Sequence, residues 1–287
     1  MCIAFSAILY RYARVSPSTA TVFRCLFGLP VLAGVALFER RRYGALPAAT
    51  VGLAAAAGIL FAGDLIAWHH AIEAVGAGLA TVLGNLQVLV VGLVAWAAFG
   101  ERPPRPTLMA VPIVLVGIAL ISGLGGGAYG ANPARGVLLG LLTAFFYAGY
   151  LILIRRGGQD LRRPAGPVAV ATASTVAAGA VIGLLMGDLD PRPAPTSLGW
   201  LSLLGVTSQS AGYLLISLSL PRLPAVVTSI LLLAQPVATL GLSMLLLAEA
   251  PSARQLAGVA LVIGGIAVAT LGGGRPAIAP GRSAGTG

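Results

Sequence analysis

Residues 61–70 read FAGDLIAWHH and lie inside an apolar run that begins near Ala48 and carries no other charge. A carboxylate in such a run can bind a cation, hold a proton or neutralise a buried cation, and it is costly if it faces lipid. Helical spacing sets Ala57, Phe61, Asp64, Trp68 and Ala71 along one face. Asp64 then lies about eight residues, roughly 12 Å, from the outer end of its helix; Arg24 lies about six residues, roughly 9 Å, from the same side in the helix before it. Three readings stay open for Asp64: an ion pair with Arg24, a proton or cation-substrate site, or the wall of a solvated groove. His69 stands four residues before Glu73, so a helical pair is expected, and its imidazole titrates near neutral pH, which suits proton coupling. Adjacent histidines point in different directions on a helix, and no Cys/His/Asp set has zinc spacing, so neither a metal nor a cofactor is expected.

Further polar side chains sit in oily surroundings. Gln87 and Gln235 either bond across helices as structural glue or line a pathway for a polar solute. Tyr147, Tyr150, Ser208, Gln209 and Tyr213 offer additional polar wall. Glu101 and Glu249 close two apolar runs and read as turn or capping residues. GVLLG at 136–140 has the GxxxG spacing of a close helix contact.

The elements that must carry these residues follow from composition. Of 287 residues, 57% are hydrophobic and 9% are charged, with a mean hydropathy of +0.94. A soluble domain holds about 25% charged residues, so this chain must be solvated by lipid. All 18 basic residues are arginines, mostly in gaps between apolar runs; with no basic stripe or aromatic RNA-binding motif, nucleic acid is not an expected partner. A bilayer core of about 30 Å needs about 20 apolar residues per helix. Spans are predicted near 20–38, 48–71, 77–99, 107–123, 136–154, 166–186, 198–218, 225–247 and 253–271. An incomplete tenth, MCIAFSAILYRYA, stands first, and its shortness predicts a start lying upstream. The tail 273–287 is rich in Gly, Pro and Ser and is expected to be disordered.

With the N-terminus in the cytoplasm, twelve arginines fall inside (40–42, 102, 105, 155, 156, 162, 163, 222, 275, 282) and five outside (11, 14, 135, 192, 254). That asymmetry obeys the positive-inside rule and places both termini in the cytoplasm of a cell (plasma or inner) membrane protein.

The chain also repeats itself. A constant shift of 148 residues sets Gln87 on Gln235, Glu101 on Glu249, Pro103 on Pro251, and Gly117-Ile118-Ala119 on Gly265-Ile266-Ala267. Oily segments alike by chance would match Leu and Val, not Gln, Glu and Pro together. Five spans per copy is an odd number, so the second copy enters the membrane inverted, as in many secondary transporters. The expected organisation is an all-α polytopic protein of ten helices: one five-helix repeat over 1–122, a Gly-rich linker over 123–135 and a second repeat over 136–272.

The segments GAGLATVLGNLQVLVVGLVAWAAFGERPP and LPAVVTSILLLAQPVATLGLSMLLLAEAPS resemble the EamA family of the drug/metabolite transporter superfamily. FAGDLIAWHHAI resembles a subgroup with a GDLxxWHxA-type third helix. Two departures stand out: the short first helix, and Ala248 where the first half has Gly100. The resemblance implies a permease that exports a small organic metabolite, such as an amino acid or amine, by alternating access. Its expected partners are the lipid bilayer and the small-molecule substrate, with protons as a candidate coupling ion and a homodimer left open. No GxxxxGK[ST] motif supports direct drive by ATP. A membrane-embedded enzyme lacks support, since HExxH, GxSxG and paired carboxylates within one span are absent; a channel lacks a recognisable filter ring.

Overall fold

The structure is a computed structural model and describes residues 2–99, 104–123, 126–160, 162–215 and 225–271. Among these, every regular element is helical. A 3-10 turn, Cys2–Phe5, leads into α1 (Ser6–Ala13), followed by the long helices α2 (Pro17–Tyr43) and α3 (Ala48–Val75). α4 (Ala77–Gly84) and α5 (Gln87–Phe99) share one apolar run broken at Asn85 and Leu86. α6 (Arg105–Ile121), α7 (Pro133–Gly157), α8 (Ala165–Met186) and α9 (Pro195–Leu204) come next. A π-helical segment, Gly205–Gly212, continues α9, and α10 (Ala225–Leu246) and α11 (Ala253–Leu271) complete the series.

Local chemistry sets these boundaries. Pro17 and Pro133 open their helices where no N–H partner is needed, behind Ser16 and Asn132, whose side chains accept from Thr19 N and Arg135 N. Arg40–Arg42 and Arg155–Arg156 occupy the last turns of α2 and α7, where the helix dipole favours cations. The break between α4 and α5 is held by Asn85, whose Nδ2 donates to Thr81 O at 2.8 Å.

Six helices among the described residues are long and apolar enough to cross a membrane: Pro17–Tyr43, Ala48–Val75, Ala77–Val94, Pro133–Gly157, Ala165–Met186 and Ala253–Leu271. Two shorter apolar helices are Arg105–Ile121 and Leu233–Leu246. The nine complete spans and one incomplete span expected from hydropathy are thus matched by six among the described residues. The first helix has 8 residues, and the run at 198–218 is divided between α9 and the π-helical segment. Large apolar side chains face outward, Leu185 at 83% exposure and Leu245 at 82%. Buried groups, by contrast, include Arg24, Asp64 and Gln209. Apolar outside with polar residues inside is the arrangement lipid requires, and the chain is a multi-pass membrane protein.

The packing carries the sequence repeat. α6 crosses α11 so closely that a Cβ on Gly117 would meet Gly258 O at 2.7 Å, and one on Gly258 would meet Gly117 O at 2.6 Å. A Cβ on Gly265 would meet Val114 Cγ2 at 2.5 Å and Ala110 O at 3.5 Å. The 148-residue shift carries Gly117 onto Gly265 and Ala110 onto Gly258, so the two approaches are repeat mates. α2 packs along α8, α4 along α10, and α3 along α7 while α1 lies on α9, each in the way a two-fold exchange of halves demands. The GVLLG spacing also makes close contacts, Gly136 against Val75 and Gly140 against Leu83.

Candidate functional site

Within α3, Phe61, Asp64 and Trp68 share the face directed at α7 and α8, with Phe61 and Asp64 buried and Trp68 half-buried. Phe61 stacks on Tyr150 of α7 at 4.6 Å between ring centroids and meets Tyr213 edge-on at 5.5 Å. Tyr147 stacks on Tyr150 at 5.5 Å and lies 6.1 Å from Phe61. Tyr147 and Tyr213 are half-buried, so part of their surface stays open although they belong to an interior cluster. Cys25 of α2 joins this cluster, and Arg24 precedes it in the same helix. Five predicted residues, Phe61, Asp64, Trp68, Tyr147 and Tyr213, therefore converge, the first three from one half of the sequence and the tyrosines from the other.

Arg24 is 2% exposed, and its Nε and Nη1 have no hydrogen-bond partner. Its charge is within electrostatic reach of Asp64, Tyr147 and Tyr213. The expected direct ion pair is not formed: the ion pairs among the described residues are His70–Glu73, Arg162–Asp160 and Arg163–Asp160. Arg24 and Asp64 are both buried, but no ion pair joins them.

His69 is also partnered differently from its sequence expectation. Its Nδ1 lies 3.0 Å from Thr21 Oγ1 and 3.2 Å from Pro17 O, and its ring stacks on Tyr10 at 4.2 Å. A carbonyl only accepts, so in the neutral ring Nδ1 carries the proton and Nε2 is a buried acceptor without a partner. Glu73 instead accepts from the Tyr10 hydroxyl at 2.9 Å and pairs with His70 at 3.6 Å. Cross-helix contacts with α1 and α2 thus displace the helical His69–Glu73 pair.

The two glutamines remain apart from this cluster. Gln87 opens α5 just beyond the Asn85 break, with a buried Oε1 that lacks a partner. Gln235 is half-buried on α10 immediately before Pro236, and no hydrogen bond joins the two amides. Ser208 and Gln209 are buried in the π-helical segment, where Gln209 Nε2 donates to Thr172 Oγ1 at 3.2 Å. Among the described residues no three His, Cys, Asp or Glu side chains converge as a metal site would require.

Several polar residues escaped the sequence reading. Glu39, at the end of α2, accepts from Ala165 N at 3.0 Å and Gly166 N at 2.9 Å, the open start of α8. Asp188, just past α8, accepts from Ser18 N at 3.3 Å at the start of α2. Glu249 caps as expected, but on another helix: it accepts from Ala77 N at 2.6 Å and Gly78 N at 3.1 Å, at the start of α4. Glu101, its repeat mate, lies outside the described residues. Gln255 accepts from Tyr129 N and Ser252 N and donates to Tyr129 O and Ile121 O, tying the linker to α11. Only the 148-residue shift, applied to helix starts and ends together, could have pointed to these clamps.

Comparison with known proteins agrees with this architecture. The model of the EamA-like transporter family matches residues 1–123 and again residues 134–271. A crystal structure of a protein with 20% sequence identity aligns over 94% of this chain and 97% of its own, with a TM-score of 0.61, a likeness of fold alone. No curated protein matches. With a family match in each half and the two halves packed as mates, the chain belongs to the EamA-like transporter family.

Proposed function

We propose that the chain is a secondary-active permease that moves a small organic metabolite, such as an amino acid or amine, outward across the cell membrane by alternating access. The observation that carries this reading is the cluster of Phe61, Asp64 and Trp68 with Tyr147, Tyr150 and Tyr213, charged and aromatic groups brought together from both halves of the chain. Polar groups at membrane depth between repeats are where transporters of inverted architecture hold their substrates. Ten helices in two inverted sets of five, with both termini cytoplasmic, accord with the repeat-related crossings of α6 and α11 and with the arginine distribution. The helix disruptions support the same reading: the Asn85 break precedes Gln87, and Pro236 follows its mate Gln235. Coupling to protons, to exchange or to the solute's own gradient all fit a chain without a nucleotide motif.

Reconstitution tests this. Purified protein in liposomes is expected to show saturable uptake, and counterflow when the lumen is preloaded with unlabelled solute. Flux without saturation or counterflow would make it a channel, and chemical conversion of the solute would make it an enzyme.

A further inference from the structure

We propose that the end of α2 and the loop after α7 form a site for an anionic phospholipid, its phosphate held by Arg42 and Arg162 beside Tyr43 and one acyl chain laid along Val31, Val35 and Phe38. The site lies apart from the ring cluster and does not depend on the transport reading. Arginines distant in sequence are drawn together here. Arg163 donates to the carbonyl oxygens of Tyr43, Gly44 and Ala45 at 3.4, 3.4 and 3.0 Å, which fastens the loop after α7 to the turn after α2. The guanidinium carbons of Arg42 and Arg162 stand 5.7 and 5.6 Å from the centre of the Tyr43 ring. Asp160 already serves both Arg162 and Arg163, each at 3.0 Å. Glu39, another carboxylate at this end, is buried and faces Ala165 N and Gly166 N. Arg162 remains 70% exposed, and Arg40, Arg41 and Arg42 are exposed as well. Like charges crowded in this way attract an anion, and planar guanidinium groups suit the paired oxygens of a phosphate.

The surface leading away from these charges is apolar. Val31, Val35, Phe38 and Arg42 recur at steps of four, three and four residues, which sets them on one face of α2. Val31, Val35 and Phe38 are exposed, Phe38 at 63%, and Gly34 among them has open space where a Cβ would stand. From Val31 to Arg42 the helix rises roughly 16 Å, about half of a 30 Å bilayer core and the reach of one acyl chain. Charge and apolarity together select the occupant. A free phosphate would meet the arginines and leave the stripe unused. A zwitterionic phospholipid would cover the stripe but bring its own cation to the arginines. An anionic phospholipid matches both, and each arginine near the surface strengthens that attraction roughly fivefold.

The test uses the full chain in a neutral detergent, titrated with phosphatidylglycerol, phosphatidylcholine or inorganic phosphate and read as a shift of the unfolding midpoint. Phosphatidylglycerol is expected to raise the midpoint saturably, while phosphatidylcholine and phosphate at equal concentration leave it unchanged. Replacing both arginines, Arg42→Gln with Arg162→Gln, should weaken phosphatidylglycerol binding roughly twentyfold. Arg135→Gln with Arg192→Gln, at the far ends of α7 and α8, should leave it as in the wild type. Phe38→Ala should weaken binding severalfold and keep the preference for the anionic lipid. If the double Gln variant fails to accumulate, Arg42→Lys with Arg162→Lys decides: it keeps the charge, so it should bind less tightly yet still prefer phosphatidylglycerol. Equal shifts with the two lipids, an equal shift with phosphate, or an undiminished response in the double variants at Arg42 and Arg162 overturns the proposal. A lipid-free dimer that is lost in Phe38→Ala would assign this face to a second copy of the chain and overturn it equally.

Discussion

Ala248 holds a left-handed backbone at φ +52°, where only glycine is free of Cβ strain, and it stands directly before the clamp residue Glu249. The corresponding turn after α8 uses Gly187 at φ +70°, followed by Asp188. Ala248→Gly is therefore expected to stabilise the protein by about 1 kcal/mol, the lower end of the left-handed penalty for a non-glycine residue, seen as a raised unfolding midpoint with the same activity. Gly76 is the opposite case. Its φ is +94°, and an added Cβ would meet Glu249 Oε2 at 2.9 Å, so Gly76→Ala strains the turn and pushes the carboxylate off α4. Its midpoint should fall, and a lack of change would show that the clamp is slack. In the loop after α7, hydrogen bonds from Arg162, with Arg163 assisting, hold the Asp160 carboxyl well below the usual carboxylate range. A depressed value means that this tether is fully present above about pH 4, the ordinary carboxylate value, and is lost as pH falls through the lower folded one. At neutral pH, Asp160→Asn should therefore speed tryptic cleavage after Arg162, with no effect on the helices.

At the scale of elements, three carboxylates each sit at the end of one helix and satisfy the open N–H groups of its repeat mate: Glu39 on α8, Asp188 on α2 and Glu249 on α4. Helix starts favour anions through both the dipole and the unsatisfied N–H groups. Glu249→Ala leaves two buried donors without partners and should cost about 1–3 kcal/mol, with Glu39→Ala similar. A midpoint equal to wild type would mean that water replaces the carboxylate. Hydropathy alone located α2, α3, α7, α8 and α11, because long apolar runs between arginine clusters leave little choice of register. The face bearing Phe61, Asp64 and Trp68 followed from helical period. What the period could not supply was contact between helices. His69 pairs with Thr21 and Pro17 because α2 packs on α3, and the π-helical segment bonds residues distant in sequence, Gln209 to Thr172 and Ser210 to Gly28. The clamps were hidden for the same reason, since each joins residues more than a hundred positions apart.

For the whole molecule, the proposed alternating access makes these clamps the contacts that would have to open and close. Asp188 and Glu249 lie at the end of the bundle shared with Arg11 and Arg14, while Glu39 lies at the other, near the Arg163 loop. Orientation comes first: single-cysteine labelling in intact cells should find 155–163 accessible only from the cytoplasm, and labelling from outside would break the inverted reading. Alternating access then requires the clamps at one end to open while those at the other stay closed. Cys25 is a natural reporter, fully buried in the ring cluster beside Arg24. With Cys2 replaced, a membrane-impermeant thiol reagent should modify Cys25 slowly from outside in the wild type. Asp188→Asn and Glu249→Gln weaken the clamps at the Arg11 and Arg14 end, the outer one in the proposed orientation, by removing charge while keeping size, so they should speed that labelling severalfold. Glu39→Gln should slow it, because loosening the inner end favours the state closed to the outside. If all three variants label at the wild-type rate, the carboxylates are static braces and access changes elsewhere. If Glu39→Gln speeds outside labelling as much as Glu249→Gln does, the variants merely loosen the fold, and the two ends are not coupled in opposition.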